Sequence, residues 1–277
     1  GVEVGAAAGA AVGAVRRIMV DREFGEAGER VVVEERLAGQ EVSILALVDG
    51  RDLFVLEPSQ DHKAVGEGDT GPNTGGMGAY SPTPLIDDET MALIQREVLV
   101  PTVDVMRREG IDYRGVLYAG MMLTPGGPRV LEFNCRFGDP ECQPLLVRLK
   151  GDLLAAMLAV VEGRLADVDL RWDRRVACCV VMCSGGYPGP YEKGKRITGV
   201  DEAEAMDDVW VFHAGTATNA AGELVTAGGR VLNVVALGED LAAARDRANA
   251  ACDQIHFEGG FFRRDIGDRV LRQQARG

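Results

Sequence analysis

Residues 131–141 read Leu-Glu-Phe-Asn-Cys-Arg-Phe-Gly-Asp-Pro-Glu. The stretch begins as an apolar strand, yet it sets Glu132, Asn134, Arg136, Asp139 and Glu141 between apolar neighbours. A solvated loop holds such groups at no cost. A strand does not, because its side chains alternate between two faces. Leu131 and Phe133 share one face, Glu132 and Asn134 the other, and the fold must give the second face something other than core to meet. Alternate Cα atoms on a strand lie roughly 6.5–7 Å apart, so the oxygens of Glu132 and Asn134 can reach one hard cation. Mg²⁺ takes oxygen ligands and shares them with nucleotide phosphates. A salt bridge at a sheet edge is the alternative reading of the same pair. Arg136 suits a phosphate, since a guanidinium forks onto oxygens; an ion pair with Asp139 or Glu141 is the alternative. Gly138-Asp139-Pro140-Glu141 is a turn that returns its acids beside the strand end.

The surrounding pattern predicts an α+β fold. The Ala-rich start through Val20 fits a helix. Residues 30–37, Arg-Val-Val-Val-Glu-Glu-Arg-Leu, read as a β-branched strand. Residues 40–50 and 53–61 continue as a meander across short turns. Residues 87–109 have helical spacing, broken or bent near Pro101. Strands at 113–123 and 128–134 follow, joined by Thr-Pro-Gly-Gly, and residues 144–165 read as one helix. From Val176 the pattern turns mostly to strands with Gly turns, closed by a helix over 240–255. The boundary is placed near Asp173, giving units 1–35, 36–173 and 174–277. The later unit is expected to be a separate β-rich body.

Residues 68–82, Gly-Asp-Thr-Gly-Pro-Asn-Thr-Gly-Gly-Met-Gly-Ala-Tyr-Ser-Pro, form a Gly-rich loop whose backbone N–H groups could approach an anion closely. Loops of this length in compact proteins are usually functional or disordered. No GxxxxGK[ST] phosphate loop occurs, and no GxGxxG opens a helix after a strand. Near Glu34, Glu35 and Leu37 the backbone could read an adenine edge, with Glu41 on ribose hydroxyls; exposed strand-end charges are equally common. The net charge of −13 argues against nucleic acid or an anionic membrane as partner. It leaves a phosphate ligand open, because a local pocket overrides global charge. The six cysteines include no Cys-x-x-Cys pair, and there are only 3 His, so a zinc cluster is not expected. Reduced thiols in a cytoplasmic protein are the expectation.

Beyond these readings, Ser-Gln-Asp-His-Lys (59–63), residues 69–82, Leu131–Gln143, Gly-Gly-Tyr-Pro-Gly (185–189) and Gly-Gly-Arg-Val-Leu-Asn-Val-Val-Ala-Leu-Gly (228–238) together resemble the phosphoribosylamine–glycine ligase (glycinamide ribonucleotide synthetase) family of ATP-grasp enzymes. The resemblance implies an ATP-grasp large lobe and part of a small lobe, then a small β-rich C-terminal domain. It implies ligation of glycine to 5-phosphoribosylamine through glycyl phosphate, with ATP and Mg²⁺ or Mn²⁺, in purine synthesis. Glu34, Glu35 and Leu37 correspond to the adenine hinge, Glu41 to the ribose contact and Lys63 to a phosphate contact. Glu132 and Asn134 correspond to the metal ligands, and Arg136 and Asp139 to catalytic positions. Asn73, Thr74, Gly75, Gly76, Met77 and Gly78 correspond to the substrate side. Two departures stand out. Ala64 takes the place of the family's usual Arg. Gly1-Val2 aligns just after the family's Gly-Lys-Gly loop, so the N-terminal region of the enzyme is expected as a missing partner and the chain alone is expected to be inactive.

Overall fold

The structure, a computed structural model, describes residue 5 and residues 8–275. The expectation attached to Gly1 and Val2 lies outside the described residues. Helix α1 (Ala8–Val15) continues into a wide π turn at Arg16–Val20. Residues 30–37, expected as a strand, have no ladder partner among the described residues. Val32 and Val33 are 81% and 76% exposed. The residues have strand propensity, but a strand needs a second chain segment to pair with its backbone, and no described segment forms a ladder with them.

The first sheet is built on β1 (Gln40–Asp49), flanked by β2 (Leu53–Val55). The chain then crosses through β3 (Gln60–Asp61), β4 (Ala64–Gly66), β5 (Thr70–Asn73) and β6 (Gly78–Ser81). Helices α2 (Asp88–Ile94) and α3 (Val100–Arg108) follow, joined by a π turn at Gln95–Leu99. The helical path does not break at Pro101. Val100 N–H reaches back to Gln95 O instead, and the wider turn absorbs the proline ring just ahead of it. Strands β7 (Arg114–Thr124) and β8 (Gly127–Asn134) complete an antiparallel sheet of order β2-β1-β7-β8.

Alternation along β1 and β7 sorts the two faces. Val42, Ile44, Ala46, Leu117, Ala119 and Met121 pack under α2 and α3. Leu45, Leu47 and Tyr118 face the other way. That second face is covered by α4 (Cys142–Arg148) and α5 (Leu153–Glu162). The single helix expected over 144–165 is therefore two. Gly151 and the Asp152 N-cap, which accepts from Ala155 N, separate them. The chain turns there so that α5 lies on this sheet, while α4 reaches it through Leu145 and otherwise packs against the second sheet.

The second sheet uses β9 (Val176–Cys183), then α6 (Val200–Glu204), β10 (Val209–His213), β11 (Thr216–Thr218), β12 (Leu224–Thr226) and β13 (Arg230–Gly238). Its order is β10-β13-β9-β6-β3, so strands 60–61 and 78–81 hydrogen-bond into a sheet whose other members follow residue 173. Helices α7 (Leu241–Cys252) and α8 (Asp268–Gln274) close the chain. One face of β9 (Cys178, Val180, Met182) packs with Ala244, Ala248 and Cys252 of α7. The other (Ala177, Cys179, Val181, Cys183) packs with Met77 and Val147. Arg148, 2% exposed, sits where the two sheets meet. It donates to the carbonyls of Asp173 and Arg175 and to Ser81 Oγ and lies 3.5 Å from Glu57 Oε2, so its buried charge meets both dipoles and a carboxylate.

Candidate functional site

The register of the first sheet lays the sequence-marked polar residues in rows. Glu41 pairs with Met122, which pairs with Arg129. Ser43 pairs with Gly120, and Gly120 with Glu132. Leu45 pairs with Tyr118, and Tyr118 with Asn134. A bulge at Leu131 brings Arg129 and Glu132 onto one face although they are three residues apart. Gly120 leaves the middle of this face open. A Cβ there would stand 3.3 Å from Glu132 Cγ and 3.6 Å from Tyr118 Cε1.

Glu132 and Asn134 meet on this face, with Asn134 Nδ2 donating to Glu132 Oε1 at 3.1 Å. Among the described residues Glu132 does not take the edge salt bridge that was the alternative reading. No group of three His, Cys, Asp or Glu that could cage a metal occurs among the described residues. Two hard oxygen donors over an open floor instead fit a divalent cation that completes its shell with water and phosphate oxygens. Lys63 Nζ lies 3.0 Å from Glu41 Oε2. Burial would lower the Lys63 pKa, but the carboxylates of Asp61 and Glu41 outweigh it and raise the pKa. Lys63 therefore stays charged at the rim of the face.

Behind the open floor lies a buried network that sequence reasoning missed. Tyr118 Oη donates to Glu141 Oε1 at 2.9 Å, and Ser43 Oγ donates to the same oxygen at 3.1 Å. Burial and then the charges of Glu141 and Asp61 push the Tyr118 phenol well above its ordinary range. It remains a donor. Asp61 is buried too, and burial followed by Glu141 raises its carboxyl to about 7. The available signal was parity: Ser43 and Tyr118 each interrupt an apolar run at a position facing the marked side.

The other marked residues divide. Glu34 and Glu35 are exposed and Leu37 is half-buried. Residues 35–38 line a cavity of about 300 Å³ with Thr124, Gly126 and Arg129. Glu35 lies 3.8 Å from Arg129. Arg136 pairs with neither Asp139 nor Glu141; its Nη1 donates to Phe137 O, leaving most of an exposed guanidinium available. Asp139 turns to the second sheet. It lies 3.1 Å from Arg230 Nη2 and accepts from Asn233 Nδ2 and Gln143 Nε2.

The Gly-rich loop is not the nest of free amides that its composition suggested. Thr74 N donates to Lys63 O, Gly75 N to Tyr187 Oη, Gly76 N to Thr74 Oγ1 and Met77 N to His62 O. Met77 is 0% exposed and packs in the second sheet's core, so its side chain meets no ligand. Gly76 and Gly78 are buried as well, while Asn73, Thr74 and Gly75 remain near the surface. Arg230 Nη1 donates to Gly75 O and Asp139 O, clasping loop tip and turn together. Ala64 is buried, and its carbonyl accepts from Arg263 Nη1.

Two family models match the chain: phosphoribosylglycinamide synthetase, ATP-grasp (A) domain, over residues 1–142, and phosphoribosylglycinamide synthetase, C domain, over residues 177–269. A phosphoribosylamine–glycine ligase of Rhodopirellula baltica is 54% identical over 94% of this chain, which spans 60% of that protein's length. One of Vigna unguiculata is 50% identical over 90% of this chain, which spans 81% of it. The crystal structure of a Thermotoga maritima phosphoribosylamine–glycine ligase superposes with a TM-score of 0.75 at 39% identity, covering 84% of this chain and 57% of that one.

Proposed function

This chain belongs to the phosphoribosylglycinamide synthetase family, and on that premise we propose that it carries the nucleotide and metal face of a ligase joining glycine to 5-phosphoribosylamine. ATP is cleaved to ADP and phosphate, and glycyl phosphate is the intermediate. The observation that carries the reading is the convergence of Glu132 and Asn134 over the gap at Gly120, with the Lys63–Glu41 pair at the rim. The fold is ATP-grasp, with the second sheet behind it.

In this reading Glu132 and Asn134 hold Mg²⁺ or Mn²⁺, which supplies charge neutralisation to the nucleotide phosphates. Residues 35–38 border the adenine, and Glu41 takes the ribose. Lys63 and Arg136 face the phosphates with fixed positive charge. Such a transfer depends mainly on positioning and electrostatic stabilisation. Asn73, Thr74 and Gly75 border the substrates. Asp139 acts as a positioning residue, through Arg230, rather than at the reacting atoms. The unpaired cysteines fit a thiol-reducing compartment, which we take to be the cytoplasm. No helix among the described residues is long and apolar enough to cross a membrane.

Because the chain spans 60% of the Rhodopirellula relative, turnover is proposed to require the region this chain does not span. The test is glycine- and phosphoribosylamine-dependent ADP release by the chain alone and with that region of the relative fused to it. Release only from the fusion supports the reading. Robust turnover by the chain alone refutes the need for a partner, and a silent fusion refutes the assigned reaction.

A further inference from the structure

Asp61 is a buried acid of the polar face with no task in the reading above. Ser43 N donates to Ser59 O at 2.8 Å and Ser59 N to Ser43 O at 3.1 Å. This antiparallel bridge lays residues 59–61 along β1 and brings Asp61 alongside Glu41. Strand alternation then turns the Asp61 side chain to the face shared by Glu41, Ser43 and Glu132. Asp61 is only 8% exposed. Its carboxylate has no ion pair within 4 Å and accepts no side-chain hydrogen bond among the described residues. The Ser59 hydroxyl beside it is likewise buried without a partner. A buried acid left this way costs stability unless something else uses it.

We propose that Asp61 takes the proton released when the amine attacks in the second half of the ligation. The amine nitrogen bonds to the carbonyl carbon of the acyl phosphate. The bond from that carbon to the phosphate oxygen breaks, and phosphate leaves with the electron pair. The N–H proton passes to the Asp61 carboxylate and from there to water. The inference rests on the function proposed above.

The groups around Asp61 suit it to this step. Glu141 at the start of α4, Glu41 on β1, Tyr118 on β7 and Lys63 just after β3 face it. Burial, then Glu141 and Glu41, raise its carboxyl to about 7 against the opposing Lys63. A base is most effective when its pKa lies near the working pH. Glu141 is less suited, because its Oε1 already accepts from both Tyr118 and Ser43. Formation of the acyl phosphate needs no base, since the glycine carboxylate arrives ionised. Substituting Asp61 should therefore separate the two halves.

The experiment uses the fused protein and its Asp61→Asn variant. Hydroxylamine, a weakly basic nucleophile, traps the acyl phosphate as glycine hydroxamate, and transfer to 5-phosphoribosylamine is measured separately. The variant is expected to lose transfer by about 10²–10⁴-fold, at least a hundredfold more than it loses hydroxamate. Its transfer rate should also lack the rise through neutral pH. Equal loss of both products, or unimpaired transfer, overturns the inference and leaves the proposed function standing. A wild-type fusion that makes neither product overturns both. A second measurement needs no turnover. The folded carboxyl titrates above its unfolded value, so the folded chain holds an extra proton between pH 3.8 and about 7. Stability is then lost as pH rises through that window. Buried His62, whose imidazole is pushed down to about 4, acts in the opposite direction over the same window, so the readout is the difference in thermal stability between the chain and its Asp61→Asn variant, which should shrink as pH rises through that window. Parallel curves would overturn Asp61 as a buried acid.

Discussion

Strands β8 and β9 are each 8 residues long, and each turns its side chains alternately to two faces. β9 is apolar at every position because both faces are roofed, one by α7 and the other by α4 and Met77. β8 lies at the edge of its sheet. It gives one face to Glu132 and Asn134 and leaves Phe133 42% exposed on the other. The same backbone thus serves two purposes. In β9 the sequence is dictated by packing, and every change should be felt in stability. In β8 the polar side is not dictated by packing, and on the function proposed above changes there should be felt in binding.

That contrast breaks most readily at Val180, fully buried in the centre of β9. Val180→Asp places an unpaired carboxylate in a closed core and should cost about 4 kcal/mol or more. Loss of the cooperative thermal transition in circular dichroism is expected; a normal melt would mean that this sheet is open to water. Next comes the seam between the two sheets. Gly76 has φ +121°, and a Cβ there would stand 2.4 Å from Pro140 Cδ. Gly76→Ala should destabilise by about 2–3 kcal/mol, read from the urea midpoint at constant slope. A variant as stable as wild type would show that the loop does not seat against Pro140.

Arg230→Met removes the donors to Gly75 O and Asp139 O and the ion pair with Asp139. Asp139 is 44% exposed at its side chain, so solvent screens the pair and the expected loss is about 1–2 kcal/mol. A double-mutant cycle with Asp139→Asn should give a coupling energy clearly above zero; additive effects would make the clasp incidental. The smallest effect on stability is expected on β8 itself. Glu132→Gln should shift unfolding by less than about 0.5 kcal/mol, yet abolish the stabilisation that Mg²⁺ and ATP together give the fused protein. Retained Mg²⁺-dependent stabilisation would remove Glu132 from the metal face.

Much of this architecture was legible because it is periodic. Strands over 40–50, 113–123, 128–134, 176–183 and 230–238 follow from alternation and turn residues. The polar side of Glu132 and Asn134 follows from the same rule. What the chain could not state locally was who lies next to what. Residues 30–37 have strand propensity, but pairing requires another segment, and no described segment forms a ladder with them. Met77 sits in a stretch of Gly, Asn and Thr that reads as surface, yet it is buried because β6 pairs with β9, about 100 residues on, as in the pairing of Gly78 with Val180. The break at Gly151 lets α5 lie on the first sheet while α4 packs mainly against the second.

The sequence by itself determined which side chains share a face, since a period of two is a property of the strand alone. Only the tertiary structure decided which faces meet. It laid Ser59 on Ser43 and so brought Asp61 to Glu41, and it put Gly120 opposite Glu132. It set Tyr118 and Ser43 on one oxygen of Glu141. Those contacts join residues up to 98 positions apart. Their partners are chosen by register, a bulge and the burial of the whole sheet, none of which is encoded within a single strand.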